Sequence, residues 1–178
     1  MSESKNTKQA LASALKTLMA AHPFEKISVG DICSECGMSR KSFYYHFQDK
    51  YDLMNWIFYT EFISTLQLPA LANNEQLLAA CCSFFHRERL FYRNALSVRG
   101  QNCFQDYFIE VVRPFMYVFM QDRFPEETTA LPFYAAFYTD ALLAALIRWM
   151  NDDAPTPPEH FAHLLIGAIM GGENVKPV

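Results

Sequence analysis

Apolar residues recur at helical spacing along most of the chain. In residues 5–21, "KNTKQALASALKTLMAA", Ala10, Leu11, Ala14, Leu15, Leu18 and Met19 fall on one helical face, and Pro23 ends the run. "FEKI" crosses to Ser28, where Ser28-Val29-Gly30-Asp31 has the form of a capping box with Asp in place of the usual Glu. This predicts a short helix over 29–35, stopped at Gly37, since glycine takes the left-handed conformation at little cost. Ser39 can cap a second short helix over 40–47. Asp49 opens a long apolar helix over 50–68, which Pro69 closes. Beyond it, helices are expected at about 74–86, 88–97, 102–121, 126–151 and 157–170, with Pro114 and Pro132 as points of kinking or interruption.

No hairpin signal or internal repeat breaks this series, so the expected fold is all-α. A three-helix N-terminal domain over 1–52 should be followed by a helical bundle over 53–178, joined through the helix that starts at Lys50. Two short helices around a tight glycine turn read as a helix-turn-helix. Cys33 lies four residues before Gly37, where the helices come close and a small residue is needed. Ile32 and Met38 can pack inside, and Phe43 and Phe47 can anchor the second helix to residues 11–19.

Composition supports that reading. Of the 178 residues, 51% are hydrophobic, enough for a substantial core, and only 6 are glycine, too few for a loop-rich β architecture. No run of 18 apolar residues is present, and "MSESKNTKQ" has no apolar signal core, so a cytoplasmic protein with no membrane partner is expected. Residues 1–52 hold seven Lys and Arg against six Asp and Glu, and the remainder holds eight against thirteen. A mildly basic head on an acidic body places any polyanionic partner at the N-terminus.

The segment "GMSRKSFYYHFQDKYDL", residues 37–53, interleaves aromatic rings with cations. The second helix of a helix-turn-helix enters the DNA major groove, where Arg, Lys, Ser and His can match base edges. Tyrosine hydroxyls and lysine ammonium groups can reach the flanking phosphates. Ser39, Arg40, Lys41, Ser42, Tyr44, Tyr45 and His46 surround the face left free by Phe43 and Phe47. Lys50, in the first turn of the next helix, is placed for a phosphate, and Ser28 for backbone on the other side. The competing reading is a surface helix with half-buried tyrosines, and the paired caps and glycine turn argue against it.

Residues 7–60 resemble the DNA-binding domain of the TetR/AcrR family of transcriptional regulators. The resemblance rests on Ser28-Val29-Gly30-Asp31-Ile32, the Cys33 to Gly37 turn and "SRKSFYYHFQDKYDL". Cys33 stands where the family usually has alanine. By position, the resemblance implies DNA contacts at Ser28, Ser39, Arg40, Lys41, Tyr44, Tyr45, His46 and Lys50. It further implies a homodimer on a near-palindromic double-stranded operator, a small-molecule effector bound by the C-terminal domain, and repression as the expected sign. "FYAAFYTDALLAALIRWMNDDAPTPPEHFAHLL" is similar to the C-terminal region of members related to dihydroxyacetone-kinase regulators. In the wider family the last two long helices pair with their twofold mates, here about 133–150 and 157–170. Phe133, Phe137, Ala141, Ala144, Ala145 and Ile147 on the first, and Phe161, Leu164, Leu165 and Ala168 on the second, suit that pairing. They suit an internal core equally well.

An effector site is expected among the helices of the body, with Phe58, Phe62, Phe84, Phe104, Phe108, Phe115 and Trp149 as candidate lining. A ligand touching Phe58 or Phe62 could tilt the 50–68 helix and change the separation of two recognition helices. Other chemistry finds little support. The C-x-x-C of Cys33 and Cys36 has no second ligand pair, and the five cysteines read as reduced thiols. His160 and His163, beside Glu159, lack further ligands and read as solvated helix residues. No phosphate loop or nucleophile elbow is present, so no catalytic residue, metal or cofactor is expected. The alternatives are a coactivator that has lost DNA binding and a helical protein that binds only a small molecule. Arg40, Lys41, His46 and Lys50 argue against the first.

Overall fold

A computed structural model of the chain describes residues 2–66, 74–100, 102–126, 128–153 and 155–170. Its fold is all-α. Among the described residues nine α-helices follow in order: α1 Ser2–Ala21, α2 Val29–Glu35, α3 Arg40–His46, α4 Lys50–Glu61, α5 Asn74–Arg87, α6 Arg89–Ser97, α7 Phe104–Arg123, α8 Leu131–Asn151 and α9 Pro158–Met170. They form two compact units, one of Met1–Thr65 with Leu90–Phe104, the other of Leu66–Arg89 with Gln105–Val178.

The first unit is built on the apolar face of α1. Leu11, Ala14, Leu15 and Met19 are buried there with Ile32 of α2, Phe43 of α3, and Leu53, Met54, Ile57 and Phe58 of α4. Lys16 of α1 joins α4 through both carboxylate oxygens of Glu61, at 2.8 and 3.1 Å. Helix α6 belongs to this unit through Asn94. Its amide donates to Met19 O and His22 O at the end of α1, at 3.0 and 2.8 Å. Its Oδ1 accepts from Phe24 N at 2.9 Å. One side chain thus satisfies two carbonyls that the end of α1 leaves open and an amide of the connection beyond it.

Helix α4 ends at Glu61, short of the expected 68, and a 3-10 turn, Ile63–Thr65, follows. The cause is local. Ser64 Oγ donates to Thr60 O at 2.9 Å and Thr65 Oγ1 to Phe62 O at 2.6 Å, so hydroxyls take carbonyls that a continuing helix would use. Residues 67–68 of the expected helix lie outside the described residues.

In the second unit α5 packs against α9. Helix α7 runs through Pro114 without interruption, and Pro132 falls in the first turn of α8, where a missing N–H costs nothing. Helix α8 buries Leu131, Ala135, Thr139, Leu142, Leu143, Leu146, Trp149 and Met150. Trp149 stacks on Phe161 of α9 with centroids 4.4 Å apart and donates its indole N–H to Thr156 O at 2.7 Å. Arg89 closes the end of α8 by donating to Met150 O and Asp152 O. Among the described residues no helix is long and apolar enough to cross a membrane.

Candidate nucleic-acid interface

Each of the three short helices around the turn starts on a side-chain cap. Ser28 Oγ accepts from Asp31 N at 3.2 Å and donates to Asp31 Oδ2 at 2.7 Å, while Ser28 N donates to the same carboxylate at 2.8 Å. This is the capping box, and those bonds hold the Asp31 carboxyl below its ordinary pKa. Ser39 Oγ accepts from Ser42 N at 3.1 Å to start α3. Asp49 Oδ1 accepts from Tyr51 N and Asp52 N, both at 2.8 Å, to start α4.

Gly37 has φ +67°. Met38 N donates to Cys33 O at 2.8 Å and Gly37 N to Ser34 O at 3.3 Å, the paired bonds of a Schellman motif. That closure turns the chain from α2 into α3. Cys33 is buried at the approach of the two helices, and burial pushes its thiol pKa up. Cys36 Sγ donates to Ile32 O at 3.2 Å. Burial pushes the Cys82 thiol up to about 12, so it too stays protonated. Among the described residues no three His, Cys, Asp or Glu side chains gather as a metal site.

Phe43 is fully buried and Phe47 nearly so, with ring centroids 5.8 Å apart. Phe47 packs edge-on to Trp56 of α4, and the Lys8 ammonium lies 5.4 Å from its centroid. The anchored helix presents Arg40, Lys41, Tyr44 and Tyr45 to solvent, with Tyr45 83% and Tyr44 58% exposed. Ser39, Lys41, Ser42, Tyr44 and Tyr45 line one shallow, open concavity. His46 is half-buried, edge-on to Tyr45 at 4.9 Å. The face therefore offers a guanidinium, an ammonium, hydroxyls and an imidazole on stiff aromatic supports. Those are the donors that base edges and phosphates accept.

Lys50 points elsewhere. Its Nζ donates to Ile27 O at 2.7 Å, Phe24 O at 2.8 Å and Glu25 O at 3.2 Å. It also lies 4.5 Å from the Phe24 ring centroid. Burial lowers its pKa from the ordinary lysine value, against the pull of Glu25, Asp31 and Asp49. Ser28 keeps its place at the exposed start of α2, with its hydroxyl proton committed to Asp31.

The expected effector residues divide between the units. Phe58, Phe62 and Phe104 belong to the first, where Phe58 packs against Phe62, Tyr92 and Phe104 at 5.6, 5.9 and 5.3 Å between centroids. Phe84, Phe108, Phe115 and Trp149 belong to the second. There Phe85 bridges Phe84 and Phe108 at 5.6 and 5.9 Å, Trp149 is buried and Phe115 is half-buried.

A capped helix-turn-helix presenting a cationic, aromatic helix defines a DNA-binding head. Residues 11–56 match the family model described as bacterial regulatory proteins, tetR family, and residues 72–171 that described as transcriptional regulator C-terminal region. The chain belongs to the TetR family of DNA-binding transcriptional regulators, which are not enzymes. It is 37% identical over 62 residues to the HTH-type dhaKLM operon transcriptional activator DhaS of Lactococcus lactis subsp. lactis (strain IL1403). That match covers 35% of this chain and 33% of the relative, so the chain spans about a third of the curated relative's length. A solved structure of the dihydroxyacetone kinase operon activator DhaS superposes with TM-score 0.69 and 18% identity over 93% of this chain and 94% of that one. NalD, the secondary repressor of the MexAB-OprM multidrug efflux pump in Pseudomonas aeruginosa, superposes with TM-score 0.61 and 18% identity over 97% and 98%.

Proposed function

We propose that the chain regulates transcription in the cytoplasm as a homodimer that reads a near-palindromic operator with α3 and releases or engages it in response to a small molecule. The observation that carries this is the exposure of Arg40, Lys41, Tyr44 and Tyr45 on one short helix whose other face is fixed by Phe43 and Phe47. Base contact is assigned to Arg40, Lys41 and His46. Phosphate contact is assigned to the hydroxyls of Ser39, Tyr44 and Tyr45; Ser28, at the exposed start of α2, would have to turn its hydroxyl proton from Asp31 to a phosphate to join them.

Pairing of two chains is supported by α8 and α9. Phe133 and Phe137 are 67% and 54% exposed and stacked on each other, and Ala141 and Ala144 continue the exposed face. Leu164 and Ala168 are exposed on α9. Among the described residues the internal core uses the opposite face of α8 and leaves this apolar surface exposed. Covering what remains exposed of each phenylalanine is worth about 1–2 kcal/mol. Two heads on a dimer would read half-sites roughly 34–36 Å apart, or a multiple of that.

The effector reading rests on the aromatic interior of the second unit, Phe84, Phe108, Phe115 and Trp149. Repression needs only that a bound dimer exclude polymerase. DhaS is an activator and NalD a repressor, and a promoter reporter with and without the protein decides the sign here. The test of the whole reading is selection of duplexes from a random pool by the purified protein, repeated with a metabolite panel. A dyad-symmetric motif that one metabolite weakens or strengthens is expected. Enrichment of no motif would overturn it.

A further inference from the structure

Three carbonyls surround the Lys50 ammonium, and an ammonium has three hydrogens to give and no acceptor. The carbonyls belong to Phe24, Glu25 and Ile27, in the connection that leads from α1 to the cap of α2 at Ser28. Phe24 lies at its centre. Its ring sits beneath the Lys50 cation and edge-on to Tyr51 at 5.0 Å, its carbonyl accepts from Lys50, and its N–H donates to Asn94. The connection is thus gripped by α4 on one side and by α6 on the other.

We infer that Lys50 is a positioning residue that ties the first turn of α4 to the α1–α2 connection, rather than a phosphate contact. Reaching a phosphate would require its hydrogens to leave three carbonyls, two of them within 2.8 Å, and would open the segment that sets where α2 begins. Since α2 is joined to α3 by the Gly37 closure, the placement of Lys50 passes to the recognition helix through rigid local structure. This rests on the reading of α3 as the DNA-reading helix.

The test uses the intact protein. Native lysines are reductively methylated with formaldehyde and a borohydride, with and without a duplex enriched by selection, and sites are quantified by mass spectrometry. In free protein Lys50 should react on the order of tenfold more slowly than the exposed Lys41, because reaction requires the carbonyl site to open. Its rate should be unchanged by DNA, while Lys41 becomes protected. Lys50 reacting as fast as Lys41 in free protein, and protected by DNA, would overturn the inference. Lys50→Met supplies a second reading. Binding should weaken at every salt concentration with the slope of log K against log salt unchanged, and Tm should fall by on the order of 5 °C. A slope shallower by about 0.9 with Tm unchanged is the signature of a lost phosphate and would also overturn it. If no duplex is bound, the regulatory reading fails, while the free-protein labelling rate still decides the role of Lys50.

Discussion

The Arg40 guanidinium lies over the bare Cα of Gly30. A Cβ added at Gly30 would sit 3.3 Å from Arg40 Cζ and Nε, and closer still to Nη2. The glycine is inside α2, where alanine would normally be favoured by about 1 kcal/mol. Its absence of a side chain leaves room for the arginine of the neighbouring helix.

Gly30→Ala should therefore keep or raise stability while displacing the Arg40 head group, which is flexible enough to yield. The expected result is an unchanged or higher Tm together with altered base preference in a duplex selection. Unchanged preference would show that Arg40 reads no base from this position.

Gly37 presents the opposite case. Nothing lies within 4 Å of a Cβ added there, so no clash occurs, but its φ of +67° is costly for any L side chain. Gly37→Ala should lose about 1–2 kcal/mol from backbone strain alone. Chemical denaturation measures it, and a loss near zero would contradict the left-handed turn.

Asp31 gives the head an acid-sensitive start to α2. Its folded-state pKa is depressed by the Ser28 side-chain and backbone bonds. A depressed carboxyl contributes stability that is present above its ordinary value of 3.8 and is lost as pH falls through the lower folded value. Asp31→Asn should be less stable than the parent at neutral pH, and the gap should narrow as the pH drops below that value. Stability curves of the two proteins against pH check this, and a constant gap would sink it.

Asn94→Ala removes the partner of Phe24 N, Met19 O and His22 O at once. Loss of about 1–3 kcal/mol is expected from the groups left open. Hydrogen exchange at the Phe24 amide should rise well above that of the wild type, and an unchanged rate would mean that water replaces the asparagine without loss.

The helix-turn-helix was legible because its boundaries are written in adjacent residues. Ser28 with Asp31, Gly37 with Cys33, and Ser39 with Ser42 act over three or four positions, so α2 falls on Val29–Glu35 as expected. The end of α4 was misread because a run of apolar residues continues while Ser64 and Thr65 divert backbone carbonyls. The carbonyl grip on Lys50 is hidden from the sequence for a different reason. Its carbonyl partners lie 23 to 26 residues earlier in the chain, and no local pattern announces them. On α8, periodicity gave two apolar faces and could not rank them. Only packing separates the buried face of Leu142, Leu146 and Met150 from the exposed one of Phe133 and Phe137.

The claim at the centre is that α3 reads bases, and Lys41, exposed in its first turn, tests it most directly. Duplexes should be selected in parallel by the wild-type protein and by Lys41→Ala. The expected result is one dyad-symmetric motif for the wild type, and the same half-site spacing for the variant with relaxed preference at one symmetric pair of positions, a discrimination of about 1–3 kcal/mol. An identical motif for both proteins, or no motif for the wild type, would contradict it.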